Sequence, residues 1–118
     1  MDKESQLMDS LEGTVFVGSG NVFADIGLPN PEELLAKAKI ASTIYEVIET
    51  RGLTQAEAAE LMGIDQPRVS KIIRGRLSEF STEWLLTRLL HLGLNVDIVI
   101  HAKDSSPKRE GELTVTCV

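Results

Sequence analysis

The apolar positions fall into four stretches of helical spacing followed by a change of period. Leu34, Ala38, Ala41, Ile44, Tyr45 and Ile48 recur three and four residues apart, as on a helix with one face turned inward. Asn30-Pro31-Glu32-Glu33 marks its start. Asn30 is a capping residue type, Pro31 sits where no amide hydrogen is needed, and the two acids favour the positive end of the helix dipole. Arg51-Gly52 closes the helix, with glycine supplying a left-handed cap. Thr54-Gln55-Ala56-Glu57 is a capping box that opens a second, short helix ending at Gly63. Asp65 caps a third, which tolerates Pro67 in its first turn and runs to Arg74-Gly75. Ser81 or Thr82 opens a fourth, ended by Gly93. Its apolar residues, Trp84, Leu85, Leu86, Leu89, Leu90 and Leu92, cover more than one face. That predicts contact both with its own core and with a second chain.

After Gly93 the period shortens. Val96, Ile98 and Ile100 alternate with Asp97, Val99 and His101, which predicts a strand over 95–101. Residues 103–111 are polar, contain Pro107 and read as a turn or loop. Residues 113–118 alternate again and could return as a hairpin partner. A lone two-stranded ribbon is marginal in water, so these strands are expected to pair across a homodimer. Ahead of the first helix, residues 1–29 read as an irregular arm broken by Gly13, Gly18, Gly20 and Gly27, with at best a short strand over 14–17. The chain thus divides into an arm (1–29), a helical domain (30–93) and a strand or hairpin extension (94–118).

The second and third helices are short and joined by a tight turn, so they must cross closely. A close crossing needs a small side chain, supplied by Ala59. The turn needs a residue tolerant of positive φ, supplied by Gly63. The inward faces need apolar residues at helical spacing, supplied by Ala58, Met62, Ile64, Val69 and Ile72, and no charged residue falls at an inward position. These features specify a helix-turn-helix. A plain helical core would explain the inward residues equally well. It would not explain an exposed third-helix face made of Gln66, Arg68, Ser70, Lys71 and Arg74, side chains that read base edges or hold phosphates.

In a helix-turn-helix the third helix of this chain would enter the major groove with its N-terminal residues against the bases. Gln66 can then pair bidentately with adenine and Arg68 with guanine. Pro67 offers an apolar surface to a thymine methyl. Ser70 and Lys71 lie one turn further on, within reach of bases or phosphates. Gln55 and Thr54 stand at the start of the second helix, where the N-terminus can face a phosphate. Arg74 and Arg76 are placed for backbone phosphates, which give affinity without sequence information.

Charge first argues against this reading and then supports it. The 118 residues carry a net charge of −6, which is not that of a typical nucleic-acid binder. Yet residues 66–76 hold Arg68, Lys71, Arg74 and Arg76 with no acid, while residues 1–33 hold Asp2, Glu4, Asp9, Glu12, Asp25, Glu32 and Glu33 against Lys3 alone. Salt screens exposed charge beyond about 8 Å, so the local patch governs what docks there. The acidic arm is a candidate surface for a basic partner; the plainer reading is a solvated tail that keeps the protein soluble.

Other chemistry finds little support. The length fits one domain. One cysteine, Cys117, cannot form an internal disulfide, which fits a reducing cytoplasm. The first ten residues are acidic and polar rather than leader-like, and no apolar run approaches the roughly 18 residues of a membrane span. A cytoplasmic protein is expected. His91 and His101 fall on different elements and make no metal set with the distant cysteine. Gly18-Ser19-Gly20 lacks the Gly-Lys-Ser/Thr of a phosphate loop. No nucleophile turn or paired carboxylate stands out. Neither an enzyme nor a cofactor is expected.

The run Leu53-Thr54-Gln55-Ala56-Glu57-Ala58-Ala59-Glu60-Leu61-Met62-Gly63-Ile64 resembles the opening of Cro/C1-type (Xre-family) helix-turn-helix domains. The run Gln66-Pro67-Arg68-Val69-Ser70-Lys71-Ile72-Ile73-Arg74-Gly75 resembles the recognition helix of one branch, the HigA-like antitoxins of bacterial toxin–antitoxin operons. The flanks Ser19-Gly20-Asn21-Val22-Phe23-Ala24-Asp25-Ile26-Gly27-Leu28 and Asn95-Val96-Asp97-Ile98-Val99-Ile100 are similar to that branch as well. The resemblance implies a mainly α, lambda-repressor-like fold of four to five helices with a C-terminal strand or hairpin used in dimerisation. It also implies a homodimer that binds a palindromic operator ahead of its own operon, and a small basic RelE-like toxin as partner. Many Xre relatives lack such a partner and act as stand-alone repressors. A third possibility is an interaction module whose helix pair no longer binds DNA.

Overall fold

The computed structural model describes Gly27, residues 30–102 and residues 111–117. The arm expected over 1–29, with its short strand and its Gly18-Ser19-Gly20 turn, lies outside the described residues apart from Gly27. So does the loop expected over 103–111, apart from Gly111.

Four helices carry the described fold: α1 (Pro31–Arg51), α2 (Gln55–Met62), α3 (Gln66–Ile73) and α4 (Thr82–His91). Three of the four starts use the side chains that the sequence nominates. Thr54 Oγ1 accepts from Glu57 N at 3.1 Å while Glu57 Oε1 accepts from Thr54 N at 2.9 Å, a complete capping box. Hydrogen bonds that Thr54 gives to the carboxylate, from its backbone amide first and its side chain second, hold the Glu57 carboxyl below the usual glutamate range. Asp65 Oδ1 accepts from Arg68 N at 2.9 Å, and Ser81 Oγ accepts from Trp84 N at 3.0 Å. Asn30 departs from expectation. It takes a left-handed conformation, φ 53° and ψ 49°, and its side chain makes no capping bond. Its carbonyl accepts from Leu34 N at 3.0 Å instead. Asparagine is one of the few residues that tolerates this backbone, so the type suits the position through φ rather than through a cap.

All four helices end alike. Gly52, Gly63, Gly75 and Gly93 have positive φ. The residue after each donates its amide back to the last turn, as in Ile64 N to Ala59 O at 3.0 Å and Leu94 N to Leu89 O at 3.1 Å. This closes carbonyls that the helix leaves unpaired. Leu53, Ile64 and Leu94 follow three of these glycines, and each packs its side chain against the core.

The core draws on every helix. Ile40, Ala41, Ile44 and Ile48 of α1 meet Ala58, Ala59 and Met62 of α2, Val69 and Ile72 of α3, and Leu85 and Leu89 of α4, with Phe80 and Leu92 sealing the ends of α4. The helix α1 packs against α3 and α4, and α2 packs against the same pair. Among the described residues no helix is long and apolar enough to cross a membrane.

Two arginines join helices that are distant in sequence. Arg88 Nη1 donates to Met62 O, the last carbonyl of α2, at 2.5 Å. Its guanidinium also lies 4.7 Å from the Trp84 ring centroid, and Trp84 stacks on buried Phe80 with centroids 4.5 Å apart. Burial pulls the Arg88 pKa below its usual value. Arg51 Nη1 donates to Leu92 O at 2.6 Å, closing α4 from the end of α1. A cation at a helix C-terminus meets both an unpaired carbonyl and the negative end of the dipole.

Beyond α4 the described residues of the single chain do not show the strand expected over 95–101. Among the described residues no strand ladder is present. Val96 packs partly against the core, but Ile98, Val99 and Ile100 are 75%, 80% and 91% exposed. Nor do residues 111–117 return as a hairpin partner to 95–101. They run beside α1, where Lys39 Nζ donates to Val115 O at 3.5 Å and Thr43 Oγ1 lies 2.9 Å from Cys117 Sγ. A strand needs a neighbour to take its amides and carbonyls, and the described part of one chain offers none to 95–101. The apolar residues of α4 divide as predicted on the core side, with Leu85, Leu89 and Leu92 buried. Trp84 and Leu86 are half-buried, while Leu90 is exposed.

The Arg88 bond to Met62 sets a clear expectation for stability. Arg88→Met keeps the aliphatic packing and removes the donor, and should cost about 1.5–3 kcal/mol, the range for hydrogen bonds to charged groups. Urea denaturation measures it. An unchanged midpoint would mean that solvent serves the α2 carbonyl equally well.

Candidate nucleic-acid interface

The two helices of the motif are set by their shared turn. Gly63 follows α2 with φ 69°, a conformation that costs an L-residue roughly 1–2 kcal/mol. A Cβ there would meet only ordinary contacts, the nearest being His91 Nδ1 at 3.8 Å, so backbone conformation rather than crowding calls for glycine. Ala58, Ala59 and Met62 are buried on α2, as are Val69 and Ile72 on α3, and Ile64 is half-buried between the helices. With those residues inward, the opposite face of α3 is turned outward.

That outward face holds the residues proposed to meet DNA. Gln66, Pro67 and Arg68 are exposed in the first turn of α3, and Ser70 and Lys71 are half-buried in the next. Arg74, the C-cap of α3, and Arg76 in the turn beyond are both exposed. Thr54 and Gln55 are exposed at the start of α2, which packs against α3. The Thr54 hydroxyl accepts from Glu57 N as part of the capping box. Every nominated side chain therefore lies at least partly open on the helix-turn-helix or in the turns that flank it.

The structure adds two acids that the charge count of the 66–76 window leaves out. Asp65, immediately before it, places Oδ2 3.3 Å from Arg68 Nη1 while Oδ1 caps the helix. Glu79, just after it, is ion-paired with Lys71 Nζ. Arg68 and Lys71 of the basic window thus carry carboxylate partners. The Asp65–Arg68 pair is three residues apart on one helix start, a spacing legible in sequence. The Lys71–Glu79 pair spans eight residues across a turn and has no periodic signature. Among the described residues no group of three or more His, Cys, Asp or Glu side chains could hold a metal ion.

Residues 22–101 match the model of a helix-turn-helix domain family. The chain is also similar to a solved structure assigned as an XRE-family transcriptional regulator, with 36% identity and a TM-score of 0.69 over 76% of this chain and all of that one. No curated protein sequence gives a significant match. The family match spans the capped turn and the outward-facing α3 just described, and the solved relative shares both fold and sequence over the same domain. The chain is therefore a member of the helix-turn-helix domain family, a DNA-binding transcriptional regulator of the XRE type.

Proposed function

We propose that this regulator is a sequence-specific operator-binding repressor that acts as a homodimer and serves as the antitoxin of a toxin–antitoxin operon. The observation that carries DNA reading is the outward face of α3, where Gln66, Arg68 and Lys71 stand over an inward face of Val69 and Ile72. In the major groove, Gln66 pairs with adenine, Arg68 with guanine, and Pro67 contacts a thymine methyl, with Ser70 and Lys71 completing the readout. Thr54, Gln55, Arg74 and Arg76 hold phosphates on either side.

Arg68 and Arg74 separate these roles. Arg68→Ala should cost roughly 1–3 kcal/mol on the preferred duplex and much less on mixed-sequence DNA. Arg74→Ala should weaken both duplexes alike and reduce the salt slope by about 1. Fluorescence anisotropy titrations at several salt concentrations give both quantities. Equal losses for Arg68→Ala on the two duplexes would make it a phosphate contact.

Dimerisation is supported by the segment after α4. Ile98, Val99 and Ile100 form a continuous apolar run in water, and an unpaired segment of this kind is a template for another strand. A second copy supplies that strand, and the exposed Leu90 on α4 adds to the apolar surface. The double substitution Ile98→Asp, Ile100→Asp should shift the sedimentation profile to monomer without unfolding the helical domain. A dimer that persists would move the interface elsewhere.

The antitoxin role rests on resemblance and on charge: seven acids against one lysine in residues 1–33 suit a small basic toxin. A stand-alone XRE regulator with the same DNA site is equally consistent with the family and the fold. Co-expression with the product of the adjacent gene, followed by pull-down, distinguishes them. Deleting residues 1–20 should weaken capture of a basic partner and spare operator binding. Unchanged capture would remove the arm from the interface, and no capture by the full chain would favour the stand-alone regulator.

A further inference from the structure

We infer that Asp65 and Glu79 are specificity-determining residues of this regulator, whose carboxylates hold Arg68 and Lys71 in ion pairs that still donate to base edges and discriminate against phosphates. This deepens the proposed DNA reading and rests on it.

The two pairs bracket α3. Asp65 is its N-cap and divides its carboxylate, one oxygen accepting from Arg68 N at 2.9 Å and the other lying 3.3 Å from Arg68 Nη1. Glu79 approaches Lys71 from the turn between α3 and α4. That turn is anchored rather than free: Phe80 N donates to Leu77 O at 3.0 Å, the Phe80 side chain is buried against Trp84, and Ser81 caps α4. The backbone of Glu79 is thus held next to a residue of the core. All four side chains remain about half exposed, Arg68 at 49% and Lys71 at 45%, so the pairs lie on the surface available to DNA.

Donor chemistry explains what such pairs select. A guanidinium has five N–H donors and an ammonium three. One carboxylate oxygen on each leaves donors for a neutral acceptor such as guanine N7 or O6. A base edge can therefore be read while the pair stays closed. A phosphate is different. It gains from a cation mainly through net charge and counterion release, and a neutral pair offers little of either. A phosphate that takes the remaining donors of Lys71 also meets the Glu79 carboxylate, whose negative charge opposes the polyanion whether the pair stays closed or opens. The carboxylates thus penalise binding to arbitrary sequence more than binding to a site with acceptors in the right places. Arg74 and Arg76, at the C-terminal end, supply the general attraction.

The test uses the full chain, the duplex that the wild-type protein enriches most from a random pool, and a mixed-sequence duplex. The variants are Glu79→Gln and Asp65→Asn. Each keeps the size of the side chain and removes its charge, and an asparagine oxygen can still accept from Arg68 N, so the helix start is retained. Each variant should bind the mixed duplex roughly five- to tenfold more tightly at about 0.1 M salt, with a salt slope steeper by about 0.9, as for one additional phosphate neutralised. Affinity for the enriched duplex should change less, so the ratio between the two falls. A merely structural role would weaken both duplexes and would not steepen the slope. If the wild type binds with normal salt dependence and neither variant changes the slope or the ratio, the inference is overturned and the DNA reading stands. If the wild type enriches no duplex and binds neither with salt dependence, the DNA reading fails and the inference falls with it.

Discussion

The close crossing of α2 over α3 is the constraint on which the rest of the structure depends. Two helices of eight residues each cannot hold themselves together in water. They hold because Ala58, Ala59 and Met62 bury against Val69 and Ile72, with α1 behind them supplying Ile40, Ile44 and Ile48. Gly63 makes the turn, and Arg88 secures its first strut by bonding the last carbonyl of α2 from α4. Once this crossing is fixed, α3 has only one face left to show.

That consequence links packing to function. The exposed side of α3 is not an independent feature laid onto a scaffold; it is the complement of the residues that the crossing buries. Loosening α2 would change the angle of the presented side chains as well as stability. The stacked Phe80–Trp84 pair and Arg88 above it extend the same logic, since they tie the turn that carries Glu79 to the helix that braces α2.

Electrostatics on this face is finer than a count of charges conveys. The protein is acidic as a whole, and α3 with its following turn is its basic exception. Yet two of those cations are matched to carboxylates at the two ends of the helix. Attraction to a polyanion and discrimination among base sequences are separate demands, and the proposed reading assigns them to different residues. Arg74 and Arg76 lie at the C-terminal end of α3, and Arg68 lies in its first turn.

The amino-acid sequence by itself determined most of what is local. Capping chemistry at Thr54, Asp65 and Ser81, positive φ at Gly52 and Gly63, and the inward sets of α2 and α3 depend on neighbours within a turn or two, so period and residue type disclose them; on α1 the period found Ala38, Ala41, Ile44 and Ile48 but passed over buried Ile40 and included Leu34 and Tyr45, which are only partly buried. Asn30 shows the boundary: its type suggested a side-chain cap, but its use is a left-handed backbone, a choice among conformations that the type alone leaves open. What only the tertiary structure decided involves partners remote in the chain. Arg88 on Met62, Arg51 on Leu92, Glu79 on Lys71 and the passage of residues 111–117 beside α1 have no periodic signature, because packing brings them together. The alternation over 95–101 belongs to a third kind. Its pattern is that of a strand, but a strand exists only through its neighbour, and the described fold of one chain does not supply it.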